Sequence, residues 1–301
     1  MNLLFTMNRK TILTLTLGII ASAFLLSCGG KEKTTKAETP KEETTPTTQA
    51  KDMSGFGDMI DAMPSPSSIP ALLQRSDISF NEELINAESK APDYTLTNDK
   101  AALNLGVYST DLGYLCSYSQ ADQALSYFKA SQTLVDKIGI AGAIEQTMLN
   151  RFESNLSDKD SLVKLVDETS DLAKVFLNEN ENYNTSALIV VGSFVEGLYL
   201  ATASVANYPD EEFKDQLMVA MMQEVAEQDQ ALKGLINLVN ALEDGSSAKE
   251  MSGSLNDLLS EFEKLGLREK LKNNDGSFVL KAEMMEGITN KVAEIRGNIV
   301  G

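Results

Sequence analysis

The chain has 301 residues, a net charge of −18, two cysteines and no histidine. Without histidine, Ser-His-Asp and Cys-His catalysis, histidine-ligated zinc and histidine pH switches are all excluded. The strong acidity argues against nucleic acid and anionic headgroups as direct partners, because either would be repelled.

In chain order, residues 1–27 have the features of an export signal. Arg9 and Lys10 precede an apolar run from Thr11 to Leu26 that is short for a membrane span and ends abruptly. The run closes on Leu25-Leu26-Ser27-Cys28-Gly29. These residues resemble the bacterial lipobox. The resemblance implies cleavage before Cys28, lipidation of its sulfur and attachment to the bacterial outer membrane, facing the periplasm or the cell surface. Cys28-Gly29-Gly30 followed by Lys31 and Glu32 is similar to the start of Bacteroidetes lipoproteins. One acyl chain holds a protein only marginally, at about 0.8 kcal/mol per buried methylene, and the two or three chains implied here suffice without a transmembrane helix. Loss of residues 1–27 removes two basic residues and no acid, which takes the net charge from −18 to −20.

Residues 28–51 form the lipidated cysteine and a tether. Five Lys and four Glu nearly balance among Thr and Pro, and large apolar residues are absent. Such a segment cannot bury enough surface to order itself. The folded domain is therefore expected at 52–301, where the acidic excess also lies. Cys116 is its only cysteine, so no internal disulfide is available and the core alone must hold the domain.

The domain is expected to be all-α, an irregular antiparallel helical bundle or short α-solenoid, because apolar residues recur at helical period and no strand run appears. Three short helices are predicted at Met53–Met63, Ile69–Gln74 and Phe80–Glu88. A helix capped by Thr97, Asn98 and Asp99 runs to Tyr118, and others span 120–138, 143–153, a segment capped by Ser157–Asp160, and 185–206. Pro209–Glu212 opens a long helix to Leu242. Residues 248–265 and 279–299 complete the set. Leu105-Gly106, Tyr108 and Ala124-x-x-x-Phe128 resemble the tetratricopeptide pattern over one helix pair. No second copy follows at the 34-residue period, and a generic antiparallel pair explains the same residues. The segments Gly106–Tyr114 and Val195–Ala201 are together similar to a group of all-helical Bacteroidetes lipoproteins, a resemblance covering residues 97–206. It implies a helical fold and no activity.

Candidate chemistry is sparse. Met218, Met221 and Met222 share a helix, with Met284 and Met285 near the end, but thioethers on amphipathic helices mainly fill cores. Asn273–Gly276 resembles part of a calcium loop, yet Leu271 and Ala282 stand where that loop needs acids, which leaves a turn. Asp160-Ser161-Leu162 matches a short O-glycosylation pattern and equally suits a helix start. No metal, cofactor or catalytic residue is assigned.

Two tyrosine–acid groups remain. Tyr108 and Asp111 are neighbours on one helix, with Tyr114 nearby, and Glu196 and Tyr199 share the same spacing on another. Glu196 is the only charge between Asn184 and Pro209, in a helix apolar nearly all round, and is expected to be buried with a partner. Arg151, beside Met148 and Phe152, is the expected partner, with Tyr108 next. The composite reading is a non-enzymatic binding or scaffolding module for a protein partner or small ligand. The alternative is a glycan hydrolase using Asp111 and Glu196, which would need about 5–10 Å between the carboxyls across an open cleft.

Overall fold

The computed structural model describes residues 52–142, 144, 146–207, 216–272 and 280–301, and every regular element among them is helical. The signal segment, Cys28, the tether, the Pro209–Glu212 helix start and the Asn273–Ser277 turn lie outside the described residues. Two short helices, α1 (Phe56–Asp61) and α2 (Ser68–Arg75), lead in. Next come α3 (Asn98–Ser117), α4 (Ala121–Ile138), α5 (Gln146–Ser154), α6 (Lys159–Glu179) and α7 (Tyr183–Ala206). After them follow α8 (Gln216–Ala226), α9 (Asp229–Asn240), α10 (Ser247–Glu250), α11 (Ser252–Leu265), α12 (Leu267–Lys272) and α13 (Glu286–Val300).

Several boundaries follow from local chemistry. Thr97 caps α3 by accepting from the Lys100 amide at 3.1 Å, and Asp158 caps α6 by accepting from the Ser161 amide at 3.2 Å. The Ser161 hydroxyl donates to the same carboxylate at 2.8 Å, so the Asp160-Ser161 pair serves a helix start. Gly139 ends α4 and Gly266 ends α11 in the left-handed conformation.

Elsewhere the structure departs from the sequence expectations. The predicted helix at Phe80–Glu88 is a single 3₁₀ turn, Glu82–Leu84, because Asn81 turns its side chain onto the Glu83 amide at 2.9 Å. Glu88–Leu96 is 3₁₀ as well, with Pro92 inside it. The long helix expected to reach Leu242 breaks between α8 and α9. Glu227, Gln228, Asp229 and Gln230 supply a full turn without an apolar side chain, so no hydrophobic anchor holds the helix continuous there. The expected 248–265 helix parts at Met251 into α10 and α11, and α13 is preceded by a 3₁₀ turn, Ala282–Met285.

At the centre of the bundle α3 packs against α7, with α4 and α6 also against α3 and α13 against α7. By length and composition α7 could cross a membrane, yet 89% of its most apolar stretch is buried inside the protein. It is the central core helix. The two central helices meet backbone to backbone. A Cβ on Gly106 would strike the Ile189 carbonyl oxygen and the Ser193 amide nitrogen, and a Cβ on Gly192 would strike the Leu103 carbonyl. Glycine is required at both positions by this close approach.

Gly192→Ala should therefore force the helices apart and cost about 3 kcal/mol, the upper part of the overpacking range. Gly287→Ala meets only the flexible end of the Glu261 side chain and should leave stability within about 0.5 kcal/mol. Urea unfolding of the two variants checks the contrast, and equal stabilities would overturn the crossing.

Candidate functional site

Glu196 sits midway along α7 with no exposed side-chain surface. Burying an aliphatic side chain contributes about 1.5–3 kcal/mol, and α7 buries Leu188, Val191, Val195, Leu198 and Leu200 around it. That gain exceeds the several kcal/mol cost of one buried charge, provided a counter-charge is present. The counter-charge is Arg296, from the last turns of α13. Its Nε donates to Glu196 Oε2 at 2.7 Å and its Nη2 to Oε1 at 2.9 Å, a two-pronged pair. Nη2 also donates to the Leu84 carbonyl at 3.2 Å. The guanidinium carbon lies 4.1 Å from the centroid of the Tyr199 ring, one helical turn from Glu196. Burial opposes the Arg296 charge, but the Glu196 carboxylate outweighs it and holds its pKa above the usual arginine value.

Asp111 completes the cluster from α3, also with no exposure. One of its oxygens accepts from the Asn86 amide at 3.1 Å. The other, Oδ1, has no amide or hydroxyl donor, and the two carboxyls hydrogen-bond to each other. A carboxyl–carboxyl hydrogen bond needs a proton. Burial, then the Glu196 charge, raises the Asp111 pKa well above the ordinary range, so the proton belongs to Asp111. Burial raises Glu196 too, opposed by Arg296 and by the bond from Asp111. The arrangement is thus one neutral acid, one carboxylate and one guanidinium, with a net charge of zero.

Polar bonds around this centre tie down the end of α13. Tyr94 donates to the Val300 carbonyl at 3.1 Å and bonds the Asn86 side chain. The Asn104 amide donates to the Ile299 carbonyl at 3.1 Å, and Lys100 Nζ to the Gly301 carbonyl at 2.9 Å.

Of the residues singled out in the sequence, Asp111, Glu196 and Tyr199 meet in this cluster. Tyr108 is buried, but its hydroxyl donates to the Ala87 carbonyl at 2.6 Å and not to Glu196. The Tyr114 hydroxyl accepts from the Asn81 amide at 3.0 Å. Arg151 does not join: it is exposed and pairs with Glu168 at 2.8 Å on the surface, leaving Arg296 as the partner of Glu196. The physical reason is the side of the core that each helix covers. Arg151 on α5 lies against α6, whereas α13 packs directly on α7. The sequence signal for Arg296 was its place beside the apolar stripe Ile288, Val292, Ile295 and Ile299. Met221, Met222 and Met285 are buried core residues, and the Met218 side chain lies outside the described residues. Cys116 is buried and free, its thiol pushed up to about 12 by burial.

Neither buried carboxyl lines the cavities between α3, α4 and α6 or those at the ends of α3 and α7. No group of three or more His, Cys, Asp or Glu side chains able to hold a metal occurs among the described residues. No family model, curated protein or solved structure matches the chain.

Two substitutions separate charge from shape. Glu196→Ala leaves Arg296 buried without its carboxylate and should cost about 3–5 kcal/mol. Asp111→Asn keeps a neutral donor toward Glu196 and an acceptor for the Asn86 amide, and should cost under about 1 kcal/mol at neutral pH. The pH dependence has a definite sign. Asp111 is raised in the folded state, so the unfolded chain releases its proton first, and stability falls as pH rises above about 4. The fall reaches at most about 1.4 kcal/mol per pH unit and ends once the folded-state pKa is passed. The stability difference between wild type and Asp111→Asn should therefore shift steadily against wild type from pH 4 upward. A pH-independent difference in chemical denaturation would show that Asp111 is ionised.

Proposed function

We propose that this chain is an exported, lipid-anchored protein of the bacterial outer membrane whose helical domain is a non-enzymatic binding or scaffolding module. One observation carries the non-enzymatic part. The acids that a carboxylate hydrolase would use, Asp111 and Glu196, have no exposure, Asp111 keeps its proton and Glu196 is held by Arg296. A hydrolytic pair needs its carboxyls apart across a cleft that admits substrate and water. Here the same residues join three helices, and their chemistry is spent on the fold. The anchor rests on Leu25-Leu26-Ser27-Cys28 and on a following segment composed as a tether. With α7 committed to the core, attachment would come from the lipid on Cys28.

Two measurements test this. Labelling with an alkyne palmitate analogue in a bacterial host should mark the wild-type chain and leave Cys28→Ser unlabelled and released from membranes. Equal labelling would end the anchor reading. Purified chain incubated with cell-wall and capsular glycans should release no new reducing ends. Release that is lost in a folded Asp111→Asn variant would restore the hydrolase.

A further inference from the structure

Asp111, Glu196 and Arg296 come from three different helices, α3, α7 and α13, and meet in one buried cluster. Two acids and one base cannot all be charged there without leaving a net negative charge in the core. Their balance depends on a single proton. The surroundings do not relieve that dependence. On α7 Glu196 is the only charged residue, and on α13 Lys291 turns away to Asp257 and Glu294. Tyr94 of the 3₁₀ segment and Tyr127 of α4 face the cluster, with Tyr108 and Tyr114 of α3 itself. Burial raises all four phenols above the usual tyrosine value, so they stay neutral where a carboxyl titrates. Glu82, Glu88 and Asp93 near these phenols are exposed to water and carry only negative charge. α2 brings Arg75, which is exposed. On the inner side of α6, Asp167 accepts from the Ser67 hydroxyl at 2.6 Å, Lys174 pairs with Asp171 at 2.7 Å and Lys159 reaches Gln74 at 3.4 Å.

Of the three helices, α13 is the one that can leave. α3 and α7 are joined backbone to backbone at the Gly106–Gly192 crossing, and α7 is buried along nearly its whole length. α13 buries one stripe, Ile288, Val292, Ile295 and Ile299. Its end is tied by single hydrogen bonds to the carbonyls of Ile299, Val300 and Gly301, and water can replace each of these. Undocking of α13 carries Arg296 away and opens Asp111 and Glu196 to water, where both can ionise without a counter-charge. Folded chains open in cooperative units, and the units with fewer buried apolar contacts open first.

We propose that α13 is a proton-held latch: it stays docked on α3 and α7 while Asp111 keeps its proton, and its undocking is coupled to loss of that proton. The proton passes from the Asp111 carboxyl to solvent, and no covalent bond other than that O–H is broken. Once α13 has left, the Asp111 carboxyl is hydrated and ionises at an ordinary pH. When docked it holds its proton to a higher pH. The open fraction therefore rises about tenfold per pH unit, from about pH 4 until the docked carboxyl itself ionises. Undocking uncovers the α7 face around Glu196 and the apolar stripe of α13, surfaces that lower pH keeps closed. The latch depends on neither the lipid anchor nor the binding-module reading.

The test is amide hydrogen exchange of the purified full chain from about pH 5 to about pH 9, read by mass spectrometry and corrected for the intrinsic pH dependence of exchange. Amides of residues 292–299 should exchange through an opening at least about tenfold more populated than the one that exposes residues 188–200 of α7. In wild type the equilibrium constant of the α13 opening should rise about tenfold per pH unit. Asp111→Asn supplies a neutral donor that cannot ionise, so the rise should vanish while α13 stays protected. Glu196→Gln leaves Asp111 as the single carboxylate for Arg296, with no proton to release on opening, and should abolish the rise as well. A single opening shared by α7 and α13 would mean that the helix leaves only when the whole domain unfolds, and would overturn the latch. A separate α13 opening whose pH slope is unchanged in Asp111→Asn would overturn it equally.

Discussion

Glu196 is a full negative charge placed in the most apolar of the described helices, and the helices around it are arranged to neutralise it. A carboxylate there is tolerable only if a cation and a proton are both brought to it. The cation comes from α13, 100 residues away in sequence, and the proton resides on Asp111 of α3. Three helices distant in sequence are thereby committed to one point. Non-directional apolar packing would allow α13 to slide or rotate on α7. The two-pronged guanidinium–carboxylate geometry, with Tyr199 beneath it, permits one register only. The surrounding bonds from Tyr94, Asn104 and Lys100 to the carbonyls of residues 299–301 act in the same sense.

The glycine crossing makes this electrostatic arrangement possible. Gly106 and Gly192 let α3 and α7 approach to backbone contact, which brings the α3 carboxyl of Asp111 within hydrogen-bonding reach of Glu196 one turn further along α7. Larger residues at the crossing would part the helices and open a gap between the two acids. Water would enter, Asp111 would ionise and two like charges would face each other. Close packing and the proton kept on Asp111 are parts of one solution.

This division of labour also bears on function. The groups that attract attention by chemical type, the buried acids and the arginine, are consumed in holding the fold.

From the sequence alone the helical class followed, because apolar residues at helical period dominate each segment. The caps at Thr97 and Asp158 and the ends at Gly139 were legible for the same local reason. So was the burial of Glu196, since a lone charge in a helix apolar on all sides has nowhere else to go. Asn81 and the polar run Glu227–Gln230 interrupted helices whose periodicity had suggested continuity, because local hydrogen bonds and missing anchors outweighed propensity. The partner of Glu196 was not legible. Arg151 and Arg296 both flank apolar residues on amphipathic helices, and nothing local distinguishes them. Only the packing of α13 rather than α5 against α7 decided the pair.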